Sequence, residues 1–424
     1  MARLHFSKLN DQPLLTASGN EVGKIVDGVV KLVDGGLPTV TGVLVHRDGK
    51  DVFVSARDLG ELSANGGRLR TESVDSRPFE RRPGEVLLEG DVQGHSVIDV
   101  DAARLVRVKD LVLEGEGGAW RVVGIVPSPP SRLLAAFGLG RVQQSEIDWA
   151  RVEPLVSHVP SAQVGPSSRL AKLRPADIAD IVEEASHDEG EEILDAVQHD
   201  HELEADVFEE LDEEHQLEFI KGRSREEVAT ILANMDPDAA TDMLMELDQE
   251  QRRPVLELLP PEQQARVRKL LGYNPETAGG LMSNEFIALP SALTVEQTIR
   301  RLRELEEVPA TLTTLYTLVD GRLSGAVGLA ELLCAEVSAT LLDLSPSDPI
   351  AVYADADLPS VAVQMADYNL SSLPVVDEQG GILGVVSYDD LLEAMLPEEW
   401  RWRGRPEQAR RYQPPKPADS DVQA

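Results

Sequence analysis

The chain has 424 residues, with 40 Lys+Arg against 75 Asp+Glu and a formal net charge of -35 at pH 7. At this length several domains are expected rather than one core. So much negative charge repels phosphate and argues against a nucleic-acid partner, and no run approaches the ~18 consecutive apolar residues of a membrane-crossing helix.

Residues 1–156 read as β-rich. Short apolar runs at Val22–Val30, Val40–His46, Asp51–Ser55, Glu85–Leu88, Leu105–Leu113 and Trp120–Val126 are broken by Gly and Asp turn signals such as Asp34-Gly35-Gly36. The region looks duplicated: the ten residues from Glu21 to Val30 are echoed by those from Ala103 to Val112, and each half continues into a second strand. The pattern resembles the PRC-barrel family of small β-barrels, which implies an adaptor role and no catalysis. His46 and His95 stand apart from acid or nucleophile partners in the sequence, so neither is read as catalytic. Residues 157–168, with Pro160 and Pro166, read as a linker.

Residues 169–271 read as an acidic helical domain, and between Asp188 and Glu262 the chain repeats one acidic pattern every twelve residues. Asp188, Asp200, Asp212, Ser224, Asp236 and Asp248 each fall where a helix would start, and Pro260 continues the series. Asp and Ser accept hydrogen bonds from the free N–H groups of a first helical turn, and acids there suit the helix dipole. Ser224 followed by Glu227 fits a capping box. Phe208, Ile220, Leu232, Leu244 and Leu256 return on the same stride as the apolar side. The reading is a helical superhelix of short helices, each too short to bury a core alone. Its acids far exceed what capping needs. Asp238 and Asp242, four apart, share one helix face. Two carboxylates about 4 Å apart repel by about 4 kcal/mol at an effective dielectric near 20, and a hydrated divalent ion removes that cost. His199-Asp200-His201 reads as a solvated turn.

Residues 272–397 hold two units of the same order, 286–333 and 350–396, each β-α-β-β-α. The second contains Leu373-Pro374-Val375-Val376-Asp377 and Gly384-Val385-Val386-Ser387 with Asp390 three residues on. That order resembles a CBS pair. The preceding Thr277-Ala278-Gly279-Gly280-Leu281-Met282, at the junction with the acidic helices, resembles the MgtE magnesium channel family over roughly 169–397. The expected architecture is multidomain α+β: an N-terminal duplicated small β-barrel, an all-α helical superhelix, then a CBS pair. A basic, Pro-rich tail occupies 398–424. Cys334 falls in an apolar helical stretch, which predicts core packing; it excludes an internal disulfide. Without an N-terminal signal-peptide pattern, the protein is expected to be cytoplasmic.

The resemblance implies Mg²⁺ as ligand, bound between acids of the helical domain (Asp206, Asp238, Asp242) and acids of the CBS side (Glu336, Asp343, Asp355, Asp357). In many CBS pairs a hydroxyl residue and an Asp hold adenosine ligands. Ser387 and Asp390 match that motif, while Gly328 and Glu331 replace it in the first unit. ATP, ADP or AMP therefore stays open, as does the plainer reading that Ser387 and Asp390 simply start a helix. Tyr353 and Tyr368 are candidates for adenine stacking or for core packing. No nucleophile–base set or phosphate loop is visible, so the chain is not expected to be an enzyme. The expected function is a Mg²⁺-sensing regulatory protein that does not span a membrane, a homodimer through its CBS pair, acting on a membrane transporter or another protein. The alternative is an adenine-nucleotide-sensing adaptor or scaffold.

Overall fold

Buried aspartates at two equivalent kinks organise the N-terminal β region of the computed structural model, which describes residues 2–33, 36–72, 79–116, 119–129, 145–155, 169–305, 309, 312–345 and 348–396. The linker at 157–168, the Gly35 turn and the tail from 398 lie outside the described residues. Strand Glu21–Lys31 pairs antiparallel with Thr39–Arg47, and Arg104–Glu116 pairs with Ala119–Pro127. The first ladder slips between Ile25 and Asp27, the second between Val108 and Asp110. Each slip turns a carboxylate onto a neighbouring turn. Asp27 accepts from the N–H groups of Glu89 (2.8 Å) and Gly90 (3.0 Å), and Asp110 accepts from the N–H (2.9 Å) and hydroxyl (2.5 Å) of Ser7. Burial pushes the Asp27 carboxyl up to about 6, against the opposing pull of those N–H donors.

The duplication is therefore present, but one residue off the sequence echo, which had matched Asp27 to Lys109. The halves also exchange their first strands: Ala2–His5 pairs with the 104–116 strand, and Glu85–Leu87 pairs with the 21–31 strand. Among the described residues the expected pair of closed barrels is not seen. Strand pairing instead follows an open path from Val152–Pro154 to Leu59–Ser63. Exchange of the opening strands joins the halves into one ladder around a shared core that includes Phe6, Ile25, Leu88, Val108 and Trp120.

The acidic stretch forms eight short helices: α1 (Pro175–Glu184), α2 (His187–Val197), α3 (His201–Glu210), α4 (Glu213–Ile220), α5 (Arg225–Asn234), α6 (Pro237–Glu246), α7 (Gln249–Leu258) and α8 (Pro261–Leu270). Asp200 and Asp212 cap α3 and α4 by accepting from the N–H groups of Leu203 and His215, and Ser224 with Glu227 forms the capping box of α5. The first cap is Ser186, boxed with Glu189, so Asp188 lies inside α2 rather than at its start. Phe208, Ile220, Leu232 and Leu244 are buried. Alternate helices pack together, α1 on α3, α3 on α5 and α5 on α7, as a 24-residue structural repeat requires.

The chain forms two compact units: residues 1–235 with 246–259, and residues 236–245 with 260 onward. The second unit thus takes most of α6. In it, Ala288–Pro290, Thr314–Val319 and Arg322–Gly328 form one three-stranded sheet; Val352–Tyr353, Ser372–Val376 and Ile382–Ser387 form another. Each has a parallel then an antiparallel pairing. Helices α9 (Ala278–Leu281), α10 (Val295–Arg303), α11 (Leu329–Cys334), α12 (Leu341–Leu344), α13 (Leu358–Tyr368) and α14 (Tyr388–Met395) complete the unit. The Tyr316 hydroxyl meets that of Ser372 at 2.7 Å in the interior and ties the sheets together. Cys334 is exposed, because the last turn of α11 turns it from the apolar side that buries Leu332. Among the described residues no helix is long and apolar enough to cross a membrane.

Candidate functional site

The junction motif explains itself by packing. The N–H groups of Ala278 and Gly279 donate to the carbonyls of Ala356 (2.8 Å) and Ala354 (2.9 Å), which docks α9 beside the second three-stranded sheet. A methyl group at Gly280 would sit 2.2 Å from the Asn274 carbonyl oxygen, and one at Gly279 2.9 Å from that of Ala354. Both positions need glycine because main chain approaches main chain.

Helix α6 begins at Pro237, whose fixed φ suits a first helical turn. That places Asp238 in the first turn and Asp242 one turn on. Asp238 is half-buried and Asp242 exposed. One oxygen of Asp238, Oδ1, is closed off from solvent with no hydrogen-bond partner. Burial, then the nearby charge of Asp390, pushes the Asp238 carboxyl up to about 7; Asp236 and Asp242 add to the repulsion. Asp390 is itself raised by burial, with Asp389, Asp236 and Glu393 acting on it against the lowering hydrogen bond from Ser387. Asp236, which keeps contact with solvent, is raised by partial burial and by Asp389. Within this unit, then, the start of α6 faces the start of α14 as acid against acid.

The other sequence candidates do not join this cluster. Asp206 is half-buried on α3 in the first unit. Glu336 is exposed beyond α11. Asp343 is exposed and boxed with Thr340, whose hydroxyl and N–H hold its carboxyl below the usual range. Asp355 and Asp357 are exposed at the start of α13. Asp357 caps that helix on the N–H of Ser360 (2.9 Å), which lowers its carboxyl. The charges acting on Asp238 come from Asp390, Asp236 and Asp242 rather than from this pair. The residues the sequence reading missed are Asp236 as a contributor, Asp389 and Glu393. The doublet Asp389-Asp390 was the available signal, masked by reading Asp390 as a nucleotide ligand or a helix start and not as a charge facing other acids.

Ser387 is buried and caps α14, accepting from the N–H of Asp390 at 3.2 Å, while its hydroxyl donates to the Asp390 carboxylate. The two are tied to each other as a helix start. In the first of the two β-α-β-β-α repeats Gly328 takes the same capping place, with open space where a side chain would stand. Tyr353 and Tyr368 are both exposed, which sets aside core packing for them. His46 is not isolated: its Nδ1 lies 2.7 Å from Asp51 across the hairpin. His199 and His201 are exposed beside the cap of α3.

A helical repeat carrying acids is thus followed by two β-α-β-β-α units. Residues 173–276 match the MgtE intracellular N domain, and residues 343–397 match the CBS domain. The chain therefore carries an MgtE N domain joined to CBS structure. It is 36% identical over 143 residues to the magnesium transporter MgtE of Thermus thermophilus, covering 34% of this chain and 32% of that protein. It is 25% identical over 194 residues to the magnesium transporter MgtE of Bacillus subtilis, covering 46% and 43%. The chain spans about a third of the length of the first relative and under half of the second. The crystal structure of the cytosolic domain of the Mg²⁺ channel MgtE in complex with ATP is similar at 30% identity and a TM-score of 0.51, over 53% of this chain and 92% of that one.

Proposed function

We propose that this chain is a Mg²⁺-responsive regulatory protein in which an ion gathered at the α6–α14 acids holds that helix pair together. The observation that carries the reading is Asp238, with an oxygen withdrawn from solvent, unpartnered, and facing the charge of Asp390. The donors are carboxylate oxygens, the ligand type a hard cation takes. Among the described residues these acids do not gather as three within 4.8 Å. Mg²⁺ suits that spacing because it keeps several of its waters and reaches carboxylates through them. Bound Mg²⁺ would supply positive charge; Asp238 and Asp390 would hold it, with Asp236, Asp242 and Asp389 at the rim. Depletion leaves like charges facing each other and favours separation. The kinship with proteins named magnesium transporters supports the choice of ion. Asp206, Glu336, Asp343, Asp355 and Asp357 are assigned no ligand role here.

Two partners belong to this proposal. A second copy would dock on α13 and α14, where Val363, Leu392 and Met395 are exposed while Val361, Met365 and Leu391 face the core. A membrane transporter would receive the signal, with the protein at the cytoplasmic side. Light scattering that finds a monomer at tens of micromolar, with and without Mg²⁺, removes the dimer.

Adenine nucleotide is the second reading, favoured by the Ser387–Asp390 pair and by the relative whose structure holds ATP. The two readings share Asp390, so a variant at that residue cannot separate them, contrary to what the motif alone suggests. Ser387→Ala and Asp238→Asn can. Calorimetric titration of the full chain with Mg²⁺ in chelator-cleared buffer, and separately with ATP, is the test. Mg²⁺ binding that Asp238→Asn weakens and Ser387→Ala leaves intact supports the proposal. ATP binding without any Mg²⁺ response reverses it.

A further inference from the structure

The helical stack holds a second group of donors, of different chemistry, in the other compact unit. Glu183 on α1, Asp212 at the cap of α4 and His215 in the first turn of α4 each offer a ligand atom within 4.8 Å of the other two, and all three are half-buried. The sequence separates Glu183 from the others by a whole helical hairpin, so only folding assembles them. Asp212 fixes the geometry from both sides. Its N–H donates to Glu183 Oε1 at 2.9 Å, and its Oδ1 accepts from the His215 N–H at 2.9 Å. The same Oδ1 lies 2.8 Å from His215 Nδ1. The imidazole stacks near the Phe219 ring, whose centroid is 6.5 Å away, and that ring also stacks with His187 at 5.3 Å. α2 closes against the same ring: a methyl group at Gly190 would fall 2.5 Å from the tip of Phe219.

We propose that Glu183, Asp212 and His215 form a binding site for a first-row transition-metal ion of the zinc class, separate from the acids of α6 and α14. One imidazole nitrogen with two carboxylates is a donor set that Zn²⁺ and its neighbours prefer to Mg²⁺, which has little use for nitrogen. Bonds of about 2.1 Å put neighbouring ligands of one ion about 3.0–3.5 Å apart, so the Asp212–His215 separation needs only a slight opening. The ion takes the place of the hydrogen bond between Oδ1 and Nδ1, and the neutral imidazole that ligates it through Nδ1 carries its proton on Nε2. Glu183 closes from α1, and water completes the shell. Two carboxylates and an imidazole already stand together, so little reorganisation precedes binding. Occupied, the site would clip α1 to α4 across the intervening hairpin and stiffen the start of the stack.

The test uses the full chain in excess Mg²⁺, so that the other acidic region is occupied, titrated with Zn²⁺ and with Co²⁺. His215→Ala keeps the helix cap, because Asp212 still accepts from the main-chain N–H of residue 215; Glu183→Gln keeps the acceptor for the Asp212 N–H. The expected result is one Zn²⁺ per chain, and Co²⁺ absorption bands displaced from those of the aqueous ion, both weakened more than about tenfold in each variant. Circular dichroism of the variants in chelator checks that the helices remain. Zn²⁺ binding that both folded variants retain, a Co²⁺ spectrum like that of the free ion, or no binding at all overturns the assignment. Should a variant fail to fold, protection by Zn²⁺ of the parent's α1 and α4 amides from hydrogen exchange decides instead: its presence supports the site and its absence refutes it.

Discussion

Replacing Asp238 by Asn removes a charge that the fold holds at a disadvantage. Its carboxyl stands at about 7 in the folded chain against an ordinary 3.8. At about 1.36 kcal/mol per pH unit, ionising it in place costs about 4 kcal/mol relative to the unfolded chain. The sign follows from proton counting. Between 3.8 and about 7 the folded state binds more protons than the unfolded one, so stability falls as pH rises through that window and levels off above it. Asp238→Asn is neutral at every pH and escapes the loss. In chelator the variant should therefore gain on the parent from near zero at about pH 4 to as much as about 4 kcal/mol at pH 8. The assay is hydrogen exchange of the α6 and α14 amides, which reads local opening free energy. Millimolar Mg²⁺ at pH 8 should close most of the gap by stabilising the parent alone. A parent–variant difference that stays flat from pH 5 to pH 8 refutes the burial and repulsion argued for this carboxylate. A Mg²⁺ effect equal in both proteins refutes its role as a ligand.

Gly280→Ala should destabilise the second unit by about 1–3 kcal/mol or more, since the added methyl meets backbone that cannot yield, and denaturant melts report it. Ser224→Ala removes half of a capping box on an exposed helix start and should cost about 1 kcal/mol, read in the same way. Gly328→Ser fills open space at a helix cap, so it should fold at least as well as the parent. If hydroxyl residues at these caps hold adenosine, it should also raise the number of ATP molecules bound per chain in calorimetry; unchanged stoichiometry argues that the caps are structural.

Local chemistry made much of this protein legible in its sequence. The twelve-residue stride of caps and apolar positions depends on interactions within a few residues, so Asp200, Asp212 and Ser224 could be read directly. The β-α-β-β-α order and the junction motif were equally plain. What depended on distant parts of the chain was not. The echo of the two β halves was visible, but its register was one residue off, because the kinks at Asp27 and Asp110 are set by turns far away in sequence. The exchange of first strands leaves no local trace: Ala2–His5 was not read as a strand at all, and Glu85–Leu88 reads as an ordinary strand in either pairing. Asp355 and Asp357 matched a family position, yet the structure turns them to solvent and brings Asp390 to bear on Asp238. Burial decides which carboxylate is perturbed, and burial is a property of packing. Glu183 reaches Asp212 and His215 only because α1 and α4 are brought together by helices that separate them in sequence. Composition and spacing determined the elements and the abundance of acid; tertiary structure alone decided which acids meet, because charges interact through space and not along the chain.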